Sequence, residues 1–199
     1  MSLCKRTPLL YANKKHCQPW NEMKFYNLKS YYLVTNISEH QKNKENLLKL
    51  IDETEQESYE DVSFTDWKIS NESGKPYVKC FYDMITPYIK DMSSLMKFKK
   101  CEIYNIWFQI YHKNSKHDWH VHNGANWTNV YYLHLPENKL KTEIYDIKSN
   151  SIINNIEVKE GQLLTIPAGM LHRSPKNETD DRKVIISFNS DFSELALTI

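Results

Sequence analysis

From Tyr31 to Ile37 the chain is mostly β-branched and aromatic, and Ser38 stands three residues before Gln41, the spacing of a capping box that opens a helix. A helix from about Glu39 to Glu55 follows. Its apolar residues, Leu47, Leu48, Leu50 and Ile51, form one narrow stripe among Lys, Asn and Glu, which predicts an outer helix with most of its surface in water. Residues 56–75 are polar, with Trp67 and the turn signals Asn71 and Gly74, and Pro76 stands where the first residue of a helix would. Tyr77, Phe81, Met84, Ile85, Tyr88, Ile89, Met92 and Met96 then recur at spacings of mostly three and four. This predicts a second helix with a heavier apolar face, kinked or broken at Pro87.

After Lys99 the pattern changes to short runs of β formers separated by Asn, Gly, Pro and Lys. Strands are expected near 101–112, 127–135, 142–147, 152–158, 162–166, 183–189 and 193–198. Short strands behind two helices make a mostly β chain with flanking helices (α+β), a β-sandwich or jelly roll with the N-terminal helices packed on one face. At 199 residues the chain is expected to be a single domain, with an N-terminal strand and supporting helices over 1–98 and a β core over 99–199.

Composition narrows the classes. With 26 Lys and Arg against 25 Asp and Glu the formal net charge is +1, which argues against a dedicated nucleic-acid binder, and 40% hydrophobic residues are enough for a real core. No apolar run is long enough to span a membrane, and the basic residues Lys5, Arg6, Lys14 and Lys15 are followed by no apolar segment of a secretory leader. A soluble, cytoplasmic protein is expected, with no membrane partner and with room for a homodimer. Cys4, Cys17, Cys80 and Cys101 lie far apart without a CxxC pair and read as reduced thiols. Only four glycines occur, so neither GxGxxG nor GxxxxGKS can be built.

The chemistry concentrates in histidines. Five of the eight, His112, His117, His120, His122 and His134, fall in one stretch. His120 and His122 stand at i and i+2, so on a strand both imidazoles point to one side and can converge on a metal; alone, the pair could equally be two solvated loop histidines. His172 changes the balance, because it follows a strand and Pro-Gly turn (Gly161 to Leu171) that would deliver it to the mouth of a barrel. Three imidazoles from two segments can form a facial metal site with open positions.

The segment Trp119-His120-Val121-His122, the run Asn129 to Leu133, the segment Gly161 to His172 and the ending Arg182 to Asn189 together resemble the 2-oxoglutarate and Fe(II)-dependent oxygenases. The resemblance covers Cys101 to Asn189 and is nearest to a short, prolyl-hydroxylase-like group of marine bacteria and their phages. It implies a double-stranded β-helix (cupin-like jelly roll) core, Fe(II) held by His120, His122 and His172, and 2-oxoglutarate as cosubstrate. Hydroxylase-type oxidation of a C–H bond, with release of succinate and carbon dioxide, is the implied activity, on a small molecule or peptide that the sequence does not identify.

This family usually has HxD as its first ligand pair. His122 stands at the Asp position, leaving the site one charge unit more positive, and Asp118, two residues before His120, is the lesser candidate. A basic residue about ten positions after the distal histidine usually grips the cosubstrate's far carboxylate. Arg182 fits by spacing, with Lys183 as rival, since adjacent strand residues face opposite sides. Tyr132 and Tyr111 are candidate hydroxyl donors to the same carboxylates, or core tyrosines. Trp107, Trp119 and Trp127 could line the substrate mouth or fill the core, His134 reads as a satisfied core or edge histidine, and the lysines at 97, 99, 100, 139 and 141 as solvated faces. Against the oxygenase stands a cupin-like protein whose three histidines hold a metal without turnover.

Overall fold

Two helices and eleven strands form among the described residues of this computed structural model, which are 30–69, 74–137 and 140–196. Both helices and all eleven strands belong to the unit that begins at Tyr31. Cys4, Cys17 and the early basic residues, like Asn71 and Lys139, lie outside the described residues. In chain order the elements are β1 (Leu33–Asn36), α1 (His40–Asp52), β2 (Glu57–Tyr59), β3 (Val62–Thr65), α2 (Pro76–Leu95), β4 (Phe98–Tyr111), β5 (His117–His120), β6 (Trp127–His134), β7 (Glu143–Asp146), β8 (Ser151–Ile153), β9 (Gln162–Pro167), β10 (His172–Ser174) and β11 (Lys183–Leu195).

The strands pair antiparallel in two sheets. The larger has the order β1-β9-β6-β11-β4-β3-β2 and the smaller β5-β10-β7-β8. Alternation along each strand then sorts side chains to two cores. Tyr131 and Leu133 of β6, with Val184, Ile186 and Phe188 of β11, face the helices and meet Phe81, Ile85 and Ile89 of α2 and Leu47 and Ile51 of α1. Val130 and Tyr132 of β6, Ile185 of β11 and Leu164 and Ile166 of β9 face the other way and join Ile144, Ile156 and Val158 in a core between the sheets. Each large aliphatic or aromatic side chain buried here contributes about 1.5–3 kcal/mol.

Several elements differ from the sequence pattern for identifiable reasons. Ser38 does not cap α1: its hydroxyl and its backbone N–H both bond the Tyr88 hydroxyl, Glu39 takes the N-cap position without a side-chain bond to the helix N–H groups, and the helix ends at Asp52. The polar stretch after α1 contains the β2–β3 hairpin, in which Val62 and Thr65 are buried and Phe64 is exposed. Pro87 does not break α2, whose buried face runs continuously from Tyr77 to Ser93. Residues 183–195 form one strand where the pattern predicts two, near 183–189 and 193–198; its register slips between Ser187 and Asn189 without ending the pairing. The short strands β5 and β10 carry too few apolar residues to be read from the pattern, yet they place two of the histidines.

At Gly161, before β9, a Cβ would come within 2.8 Å of His40 Cγ, and φ is +80°. Only glycine lets α1 approach that turn so closely.

Candidate metal centre

His120 and His172 are direct cross-strand partners in the β5–β10 ladder, so pairing alone brings their imidazoles side by side. His122 lies just past β5, where its backbone N–H donates to Ala168 O at 2.9 Å and returns the chain toward the end of β9. One nitrogen from each of the three rings falls within 4.8 Å of the others, the only such cluster of potential ligands among the described residues. Ring centroids of His120 and His172 are 4.3 Å apart, and His122 stacks on His172 at 5.2 Å.

The second nitrogen of each ring is held by an oxygen. His120 Nδ1 donates to Asp118 O at 2.7 Å, His172 Nδ1 to Met170 O at 2.8 Å and His122 Nδ1 to Asn189 Oδ1 at 3.0 Å. An Nδ1–H engaged in this way leaves Nε2 as the unprotonated lone pair. Burial, reinforced by the neighbouring imidazoles, pushes His172 down to about 3 and His122 down to about 4, and burial lowers His120 too. All three are therefore neutral near pH 7, the form that binds a metal. Three neutral nitrogens suit iron, nickel or zinc and not magnesium or calcium.

Behind the histidines, a narrow pocket lined by Tyr111, Thr128, Thr142, Ser174 and Ser187 extends between the sheets. Lys183 sits beside it, 1% exposed, donating from Nζ to Ser174 Oγ at 2.7 Å, with Nζ 4.9 Å from the Tyr111 ring centre. No carboxylate lies within ion-pair distance of Nζ among the described residues, and burial pushes Lys183 down to about 7, with only Glu143's charge opposing. The Tyr111 hydroxyl is buried without a hydrogen-bond partner; Ser174 faces it, but the bond of good geometry at Ser174 is the one from Lys183. A buried cation short of an anion beside an orphaned hydroxyl is a cradle for a carboxylate.

Arg182, preferred by spacing, is not brought to this place. Its guanidinium forms two hydrogen bonds, 2.6 and 2.8 Å, with the Asp52 carboxylate at the end of α1. The correction follows from alternation: Val184, Ile186 and Phe188 belong to the helix-side core, so Lys183, Ile185, Ser187 and Asn189 face inward and Arg182 outward. Tyr132 reaches the inner space, but its hydroxyl is already bonded to Thr142 Oγ1 at 2.7 Å and accepts the Thr142 N–H at 3.0 Å. Asp118 does not join the cluster; it accepts from Trp119 N–H at 3.0 Å and pairs with Lys116 at 3.3 Å.

Of the tryptophans, Trp107 and Trp119 line a cleft outside the histidines, whereas Trp127 packs in the helix-side core. His117 stacks on His120 at 4.0 Å. His134 lies between Glu160 at 3.2 Å and Asp181 at 3.1 Å, and His112 lies against Phe64; neither joins the cluster. Asn189 and Ser174 carried no signal in the sequence; only strand pairing reveals them.

No family model matches the chain, and no curated protein matches it. Solved structures do. A 2OG-Fe(II) oxygenase family oxidoreductase from Burkholderia pseudomallei superposes with a TM-score of 0.65 at 8% identity, over 83% of this chain and 86% of that one. The chain has the fold of these oxygenases. HygX from Streptomyces hygroscopicus, solved with nickel and 2-oxoglutarate bound, gives 0.63 at 8% identity over 82% of this chain and 84% of its own. A Trichoplax adhaerens prolyl hydroxylase, in complex with a hypoxia inducible factor peptide, gives 0.60 at 14% over 81% and 83%. No helix among the described residues is long and apolar enough to cross a membrane.

Proposed function

We propose that this protein is an Fe(II)- and 2-oxoglutarate-dependent oxygenase, with its two sheets as the halves of a double-stranded β-helix. His120, His122 and His172 would hold the metal through Nε2, and Lys183 with the Tyr111 hydroxyl would hold the far carboxylate of 2-oxoglutarate. The observation that carries this is the Lys183 side chain, buried behind the three-histidine cluster with a serine hydroxyl and no carboxylate beside it among the described residues. A protein that merely stored a metal would have no use for a cation kept out of water at that depth, because its desolvation is compensated only when an anion arrives.

When bound, the metal and cosubstrate supply dioxygen activation. The net reaction is R–H + O2 + 2-oxoglutarate → R–OH + succinate + CO2, in which one oxygen atom enters the substrate and the other succinate. The chain's own part is positional. Asp118 O, Met170 O and Asn189 Oδ1 fix the imidazole tautomers, Lys183 and Tyr111 orient the cosubstrate from behind, and the apolar residues between the sheets keep water away. The same reading assigns the chain to the short group of marine bacteria and phages and to a reducing cytoplasm, in keeping with the thiols of Cys80 and Cys101.

The second reading, a cupin-like metal-binding protein without turnover, draws on the replacement of HxD by His120 and His122. Anaerobic loading with Fe(II) and 2-oxoglutarate, followed by oxygen, separates the two. Succinate above a His172→Ala control is the expected result. Protein that binds the metal but shows neither succinate nor 2-oxoglutarate binding would establish the second reading.

A further inference from the structure

Outside the imidazoles a cleft of about 480 Å3 opens to solvent, with His120 and His122 at its base and aromatic rings of Tyr59, Trp67, Trp107 and Trp119 on its walls. A concave site with aromatic walls and a few polar groups is the usual form of a small-ligand site. Among the described residues no lysine or arginine lines it. The cations that border it are already engaged: Lys116 by Asp61 at 3.4 Å and Asp118 at 3.3 Å, Arg173 by Glu143 at 2.6 Å and by the Trp119 ring at 4.5 Å, and Lys68 by Glu57 at 3.4 Å.

Glu60 is different. It lines the cleft from the tip of the β2–β3 turn, and its nearest positive or potentially positive group among the described residues is His117 Nε2 at 3.9 Å, beyond hydrogen-bond length. Its backbone is left-handed at φ +53°, and Asn105, lining the same cleft from β4, is left-handed at φ +50°. A glutamate gains nothing locally from that conformation, which asparagine or glycine would adopt at lower cost, so the turn holds a carboxylate at this place against its backbone preference. Trp67 stands nearby, half exposed and edge-on to Trp107 at 4.4 Å, and the latter stacks on His122 at 5.7 Å.

We propose that the cleft binds a substrate with a cationic aliphatic head, an ammonium or guanidinium of the lysine or arginine kind, paired by Glu60 and covered by Trp67. Carboxylate and indole face together are a recognised combination for such a head, and the absence of any unpaired cation among the described residues of the walls disfavours anions. The methylene stem then runs inward toward the histidines. The chemical outcome rests on the oxygenase reading: a stem C–H is replaced by C–OH, with dioxygen as oxidant and 2-oxoglutarate as the source of the second electron pair. Binding of the head does not depend on it.

The test is titration of Ni(II)-loaded protein, with and without 2-oxoglutarate, followed by tryptophan fluorescence and calorimetry. Nα-acetyl-L-lysine methylamide is compared with its norleucine counterpart, which lacks the ammonium, and with the glutamate counterpart. Free L-lysine and agmatine form the second arm and distinguish a free amine from a peptide-borne one. The cationic probes are expected to bind at least about tenfold tighter than the neutral and anionic ones, and Glu60→Gln to reduce that preference at least about fivefold. Trp67→Leu should weaken the cationic probes as well, giving a second variant at an exposed position.

Equal binding of the norleucine probe, or a preference that survives Glu60→Gln, would overturn the proposal. The oxygenase reading is scored separately on the same samples by 2-oxoglutarate binding and succinate release. A cationic preference without either would keep the cleft assignment and remove the oxygenase. Succinate release stimulated only by neutral or anionic probes would do the reverse.

Discussion

β11 carries two different proteins on its two faces. Toward the helices it presents Val184, Ile186 and Phe188, all fully buried among apolar side chains, while toward the small sheet it presents Lys183, Ser187 and Asn189, just as deeply buried yet polar. Residues one position apart thus do opposite work. The helix side gains stability from burial, whereas the inner side holds polar groups that cost desolvation and are matched only in part by partners inside the chain. On the proposed function, Lys183 and Asn189 are where function outweighs stability.

The largest expected effect comes from breaking the helix side. Phe188 is fully buried and packs edge-on against Phe81 at 5.8 Å, so Phe188→Ala should cost about 3–5 kcal/mol in denaturant unfolding, a large share of a domain's net stability. A loss below about 1 kcal/mol would mean that α2 does not hold the sheet as described.

The inner side should respond in the opposite sense. Lys183→Met is expected to leave stability unchanged or raise it, yet to weaken 2-oxoglutarate binding by a factor of roughly 30 or more, since losing a buried partner of a carboxylate costs about 2–5 kcal/mol. A pH signature accompanies it. Burial lowers the folded pKa to about 7 from 10.5, so between those values the unfolded chain binds more protons and stability rises with pH. Below pH 7 both states are protonated and this slope disappears; in Lys183→Met the rise should be absent. If instead Lys183→Met strongly destabilises the protein, the Lys183 side chain is a structural group with a partner of its own.

Legibility in the sequence followed the same division. The helices and the long strands were readable because their apolar residues recur with a clear period, as in Tyr77 to Met92. The run of histidines, and His172 after its Pro-Gly turn, gave the cluster, because those residue types are rare and their spacing is local. What could not be read was register. Val184, Ile185 and Ile186 are all apolar, so no alternation told which side faced inward, and the choice between Arg182 and Lys183 had no local signal. Asn189 was hidden for the related reason that its partner, His122, is 67 residues away.

Asn189 offers a finer test of the inner face. Its side-chain carbonyl accepts the His122 Nδ1–H, where His120 and His172 use backbone carbonyls that mutation cannot remove. Asn189→Ala should therefore lower metal affinity about 10–100-fold, the usual cost of a lost orienting partner, and shift the His122 tautomer in nitrogen NMR spectra of the metal-free protein. In a His122→Asp background there is no ring to orient, and the same substitution should matter little. An equal loss in both backgrounds would show that Asn189 supports the strand and not the ligand.

The smallest effect is expected at Arg182, the outward neighbour of Lys183. Its pair with Asp52 is bidentate but partly exposed, with side-chain exposures of 29% and 45%, so water already competes for both ions. Such pairs contribute about 0.2–1 kcal/mol, and Arg182→Ala should reduce stability by no more than that and leave 2-oxoglutarate affinity within about twofold. Because the guanidinium faces α1, its removal cannot uncover a carboxylate in the inner pocket. High salt should shrink even this modest stability difference, as it screens an exposed pair and not a buried ammonium. A thirtyfold loss of cosubstrate affinity in Arg182→Ala, with Lys183→Met silent, would reverse the facing of β11 and with it the division between its two sides.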